Sequence, residues 1–124
     1  MRVFRAELVA AEEMPDLNSY ALVMAEGDTE SSARLELSIG LSSDTQDIAL
    51  GMDTYSLCIE TGACYYGGIR AWSIEHDCLE VILDNEACRV LDVKEGFRVT
   101  LSDQHIPLVR AAMQRILKHA IAGN

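Results

Sequence analysis

Thiols, imidazoles and carboxylates are the groups that could do chemistry in this chain, and their spacing argues against each familiar use. Cysteines stand at positions 58, 64, 78 and 88 with no C-x-x-C pair among them, so neither a zinc ribbon nor a thioredoxin-type redox site is indicated. The opening stretch, MRVFRAELVAAEEM, alternates with charge and shows neither an apolar signal core nor a small-residue cleavage site. A reducing cytoplasm is therefore the expected location, with the thiols kept reduced as small, half-buried hydrophobes. The histidines fall in a turn (His76), at a helix start (His105) and at a helix end (His119). A Cys/His hydrolase would need Cys88 or Cys64 to meet His105 in the fold, and no spacing calls for that. Metal chemistry has as little support. H-x-x-x-H is absent, and Glu12-Glu13 and Asp44-x-x-Asp47 lack the dense oxygen spacing of a calcium loop. The expectation is no enzyme, no catalytic residue, no metal and no cofactor.

Charge is more informative. The net charge is −10, and it is unevenly spread: residues 1–60 carry twelve acids against three bases, residues 61–124 eight against seven. Such a surface repels nucleic-acid phosphate and anionic lipid, so neither nucleic acid nor membrane is an expected partner. It would instead steer a basic protein toward itself, acting mainly on the encounter rate. Glu26, Asp28 and Glu30 cluster in the predicted turn after the strand 19–25 and are the candidate steering residues. Plain solubility is the competing explanation of the same charge.

A second cluster is aromatic. Two of the four tyrosines, Tyr65 and Tyr66, lie within eight residues of the single tryptophan, Trp72, with Gly67-Gly68 between them. Paired glycines in a strand pattern signal a bulge or a close backbone approach, and can shift the register so that neither Tyr66 nor Trp72 is assignable to a face. Two readings stay open. Exposed, these rings would anchor a partner, since interface cores favour Tyr and Trp. Buried, they would plug the core over the glycine gap.

The elements that must position these groups follow from periodicity. Alternation predicts strands at 2–9 (Phe4, Ala6 and Leu8 on one face), 19–25, 33–39, 55–59, 64–66, 69–75, 79–83 and 97–101, with 10–18 a loop. The run from 55 to 83 reads as a β-meander at the centre of the fold. Residues 42–52 suggest one helical turn after Asp44, carrying Ile48 and Leu50. Asp84 is placed to cap a short helix, with Ala87, Val90 and Leu91 on its buried side. Ile106, Val109, Met113, Ile116, Leu117 and Ala120 make one stripe of a C-terminal amphipathic helix. The expected fold class is α+β: a mainly antiparallel β-sheet with a short helix near 84–91 and a C-terminal helix packed on one face, all 124 residues forming one domain.

Tyr55-x-Leu57, Gly62, Tyr65-Tyr66-Gly67-Gly68-Ile69, Leu79-x-Val81-x-Leu83, Ala87, Leu91 and Leu108-x-Arg110-x-x-Met113-x-x-Ile116-Leu117 resemble the immunity protein 10 family of bacterial polymorphic toxin systems. The likeness spans roughly residues 53–120, and the Y-x-L…YYGG segment is its most specific part. It implies an immunity protein that neutralises a cognate toxin by direct binding, with no catalytic residue and no cofactor. Joined to the charge, it makes the expected partner a basic toxin domain, met by Glu26, Asp28 and Glu30 and anchored by Tyr65, Tyr66 or Trp72. The alternative is a homodimeric small-ligand-binding or regulatory module without catalysis.

Overall fold

The computed structural model describes residues 1–40 and 55–117. The predicted turn at 42–52 and the last residues of the C-terminal stripe, with Lys118, His119 and Gly123, lie outside them. Among the described residues nine strands and two helices follow one another as β1 (Arg2–Arg5), β2 (Leu8–Met14), β3 (Ser19–Ala25), β4 (Arg34–Gly40), β5 (Ser56–Ile59), β6 (Cys64–Tyr66), β7 (Ile69–Glu75), β8 (Cys78–Leu83), α1 (Asn85–Leu91), β9 (Gly96–Thr100) and α2 (Ile106–Leu117). The class is α+β, as expected. The expected single sheet, however, is two: a four-stranded one in the order β1-β9-β8-β7 and a five-stranded one in the order β2-β3-β4-β5-β6. All described pairings are antiparallel except β1 with β9.

The chain passes between the sheets at two corners, and these correct the sequence reading. The first divides the predicted strand 2–9. Ala6 donates its N–H to the Thr100 carbonyl in one sheet, and Glu7 donates its own to the Ala25 carbonyl in the other. The handover inverts the face. Phe4 and Ala6 are buried, yet Leu8 is 48% exposed and Val9 packs on the core instead. Residues 10–14, expected as loop, continue as β2, because Ala11 keeps the inward alternation with a side chain too small to announce it. Only 15–17 form a turn, a 3₁₀ segment closed by Asn18 at φ 50°.

The second corner lies at Gly67-Gly68 and divides the predicted meander, with β5 and β6 in one sheet and β7 and β8 in the other. Both glycines have positive φ, +79° and +94°. Tyr55 clamps the turn from both ends: its carbonyl accepts the Gly67 N–H at 2.9 Å, and its buried hydroxyl accepts the Ile69 N–H at 2.8 Å. A Cβ on Gly68 would stand 2.7 Å from the Ala87 Cβ and 3.0 Å from the Tyr65 ring. Only hydrogen fits there. The glycine pair is thus a sheet-to-sheet corner with a close approach, while the register shift comes just after it, between Ile69 and Ala71.

The two inner faces share one hydrophobic cluster. Leu22, Met24, Leu35, Leu37 and Leu57 meet Leu79, Val81, Phe97 and Val99, all fully buried. Helix α2 closes this core by docking on β2, β3 and β4. Val109, Met113, Ile116 and Leu117 are buried, as the stripe requires, and Ala112 joins them. Its Arg115 reaches back, its guanidinium 3.9 Å from the centre of the Tyr20 ring and 2.7 Å from the Glu13 carboxylate. Helix α1 starts where expected, the Asp84 carboxylate accepting the Ala87 N–H at 2.8 Å.

Candidate partner-binding surface

The registers decide which way the aromatic residues face. Across the five-stranded sheet Leu22, Leu37, Leu57 and Tyr65 form one inward row, so Tyr65 lies half-buried against the core at the β6 edge. Its neighbour Tyr66 stands opposite Ser56 on the outer face and is 59% exposed. Trp72 pairs with Val81 in an inward row of the other sheet and is also half-buried on the core. Both open readings therefore apply, to different rings: Tyr65 fills the space beside the glycine corner, Trp72 packs on the core from the other sheet, and Tyr66 is the ring offered to solvent.

Glu26, Asp28 and Glu30 occupy the β3–β4 connection, and all three are exposed. The connection is well ordered by its own hydrogen bonds: Glu26 N–H to the Ala33 carbonyl at 2.9 Å, Ser32 N–H to the Thr29 carbonyl at 3.1 Å, and the Thr29 and Ser32 hydroxyls at 2.6 Å. A preformed loop loses little conformational freedom when a partner arrives.

Local pairing leaves these acids uncompensated. The arginines of the N-terminal half are each committed, Arg2 to Glu60, Arg5 to Glu7 and Arg34 to Glu36, at 2.8 Å in every case. Arg115 takes Glu13. Among the described residues of the N-terminal half, Glu12, Asp16, Glu26, Asp28 and Glu30 have no ion-pair partner. Three of these five uncompensated charges sit in one loop.

That loop overhangs a trough of about 540 Å³ on the outer face of the five-stranded sheet. Leu8, Ala10, Val23 and Ala25 form its apolar floor, with Asp28, Glu30 and Glu60 at its rim. Sequence reasoning missed the floor because it placed Leu8 in the core. The alternation runs unbroken through Ala6-Glu7, so nothing in the pattern marks the handover. Glu60 joins the two sheets. It binds Arg2 of β1 and accepts the Arg34 N–H at 3.0 Å. Burial pushes its pKa up, but the Arg2 hydrogen bond and the Arg34 N–H outweigh that and hold the carboxyl below its ordinary range.

Tyr66 and the acidic loop share a face. Tyr66, Ser56, Ser38 and Ala21 stand in one cross-strand row, and the loop begins four residues further along β4, at Arg34. At about 3.3 Å per residue that is roughly 13 Å along the strands. A standard interface covers roughly 800 Å² on each partner, so one protein could span both.

The cysteines depart from expectation. Cys58 and Cys64 are directly opposite on β5 and β6, with Cα atoms 4.2 Å apart, and form a disulfide. Non-hydrogen-bonded pairs of an antiparallel ladder bring Cα atoms to about 4.5 Å, so the hairpin register itself delivers the two sulfurs to each other. Cys78 and Cys88 are free and half-buried. The Cys64 sulfur is directed at Cys58 across the β5–β6 ladder. Cys88 directs its Sγ to the Leu83 carbonyl, and His105 Nδ1 contacts the Ser102 hydroxyl at 2.9 Å, a contact within its own turn. Burial raises the Cys78 thiol above its usual range, the opposite of what activates a nucleophile. Among the described residues no group of three or more His, Cys, Asp or Glu side chains could hold a metal ion, and no helix is long and apolar enough to cross a membrane.

What remains is a two-sheet protein whose distinctive surface is an acidic, partly apolar sheet face bearing one exposed ring. Residues 5–107 match the Immunity protein 10 family, and the chain belongs to that family. The match begins well before the segment that carried the likeness and takes in both sheets. No curated protein and no solved structure matches the chain.

Proposed function

We propose that this chain neutralises a cognate bacterial toxin by direct binding, and that the outer face of the five-stranded sheet is the surface that binds it. The observation that carries this reading is the coincidence on one face of Tyr66, the apolar trough and the uncompensated loop acids, in a member of an immunity family. Exposed aromatics anchor interfaces and uncompensated charge steers encounter. The toxin's own docking surface is then basic, and protection is exerted in the cytoplasm of the producing cell. The three steering acids and Tyr66 act directly. Tyr65 acts by holding the corner from which Tyr66 projects, and Trp72 acts only through its packing on the core.

Titration of the purified chain with the toxin domain encoded beside it, followed by calorimetry, tests the proposal. A saturable one-to-one complex that abolishes toxin activity is the expected result, and a toxin that stays active at saturating concentrations of the chain would rule it out. The trough has the volume of a small-molecule site, which favours a ligand-binding homodimer as a second reading. Under that reading sedimentation shows a stable dimer, and a small ligand raises the melting temperature without any toxin present.

A further inference from the structure

We propose that Cys58 and Cys64 are a reversible thiol–disulfide site, opened and closed without unfolding the protein, whose state sets how firmly β6 presents Tyr66. The pair lies on the outer face, with Cys64 exposed and Cys58 half-buried, so a thiol in solution can reach it. Neither residue belongs to the hydrophobic cluster. The hairpin they cross-link is already closed by Ile59 N–H to the Ala63 carbonyl at 3.1 Å and Gly62 N–H to the Ile59 carbonyl at 3.0 Å. A cross-link over so short a loop removes little freedom from the rest of the chain. Its local effect is larger. Strand β6 is three residues long and lies at a sheet edge, held to β5 by the pairs Ser56–Tyr66, Leu57–Tyr65 and Cys58–Cys64. The disulfide makes the last of these pairs covalent, two residues from the exposed ring.

Opening the site is a balanced exchange with a low-molecular-weight thiol. The reductant's thiolate attacks the exposed Cys64 sulfur, the S–S bond breaks, and the electron pair leaves on Cys58, which takes up a proton. A second reductant thiolate then attacks the reductant sulfur of the mixed disulfide. Cys64 is released as a thiol and the reductant as its own disulfide. Closing is the reverse, driven by an oxidised low-molecular-weight disulfide. In a reducing compartment the site rests as a dithiol, and oxidative conditions clasp the hairpin.

The experiment equilibrates the full chain in a series of reduced and oxidised glutathione buffers, quenches with an alkylating agent under denaturing conditions, and reads the mass. Parallel samples are followed by circular dichroism and by hydrogen exchange. The expected result is one transition between two and four alkylated thiols, mapped to Cys58 and Cys64, with the dichroism spectrum unchanged. Exchange at the Tyr65 and Gly67 amides, which face β5, should rise about tenfold in the reduced form while the β3–β4 loop is unaffected. A Cys58→Ser, Cys64→Ser double variant should match the reduced protein in every buffer. Loss of the folded spectrum on reduction would overturn the proposal by making the bond a structural staple. Four thiols in every buffer would overturn it too, as would β6 exchange indifferent to redox state.

Discussion

Replacing Gly68 with alanine isolates the contact that joins the two sheets to α1. The backbone there sits at φ +94°, and an added Cβ would meet the Ala87 Cβ at 2.7 Å and the Tyr65 ring at 3.0 Å. An L-residue held at positive φ costs roughly 1–2 kcal/mol. Overpacking a tight site costs about 1–3 kcal/mol more. Gly68→Ala should therefore destabilise the protein by about 2–5 kcal/mol, a large share of the roughly 5–15 kcal/mol that holds a typical domain folded. Gly67→Ala is the matched control: φ is +79°, but nothing lies within 4 Å of its would-be Cβ, so only the conformational cost of about 1–2 kcal/mol applies. Equilibrium urea unfolding, monitored by Trp72 fluorescence and by circular dichroism, gives both values. Adding Ala87→Gly should recover part of the Gly68→Ala loss, since it removes the methyl in the way, so the double variant should be more stable than the sum of the singles implies. Equal losses at Gly67 and Gly68, or strict additivity with Ala87→Gly, would refute the close-approach explanation of the corner.

Other consequences can be measured on the same material. Tyr55→Phe leaves the buried Ile69 N–H without its acceptor and should cost about 1–3 kcal/mol in urea unfolding; an unchanged midpoint would show that the clamp is dispensable. Glu60 has a depressed folded pKa, so its stabilising effect is complete above its unfolded pKa, near 4.5, and is lost as pH falls through the lower folded value. Glu60→Gln should accordingly cost about 1 kcal/mol at pH 7, and that gap should close in acid; a gap independent of pH would remove the charge from the explanation. Reversing Glu26, Asp28 and Glu30 to lysine should slow association with the toxin about tenfold at low salt and much less at high salt, with stability unchanged. An unaltered on-rate would withdraw the steering role from that loop.

Much of this architecture was legible in advance, because large alternating side chains announce a half-buried strand. Leu35, Leu37 and Ile39 did so for β4, and the Ile106-to-Leu117 stripe did so for α2. The two failures have one physical cause. A strand that crosses from sheet to sheet keeps its extended pattern while its partners change, and alternation says nothing about partners. Phe4, Ala6 and Leu8 looked like one face because the inversion at Ala6-Glu7 is set by which carbonyls accept two successive N–H groups. The run 55–83 looked like one meander for the same reason. Gly67-Gly68 did flag the place, but the event there could not be named without knowing that Ala87 lies against it. The candidate surface was readable in part. The loop acids were found from charge alone, whereas their freedom from ion pairs depends on where Arg2, Arg5 and Arg34 reach. Assigning Tyr66 rather than Trp72 to the exposed side required the register around the corner. The disulfide was misread because compartment was weighed and geometry was not: Cys58 and Cys64 are separated by five residues of a hairpin, and the register sets them facing one another across the ladder.

A hydrogen-exchange footprint of the chain, alone and saturated with its toxin domain, asks most directly whether the five-stranded sheet's outer face is where binding occurs. Protection should fall on the start of β2, on the β3–β4 loop and on β5–β6 around Tyr66. The solvent side of the other sheet, around Val3, Glu80 and Arg98, should exchange as it does in the free protein. Protection confined to that opposite side, with the acidic loop and Tyr66 unchanged, would contradict the assignment.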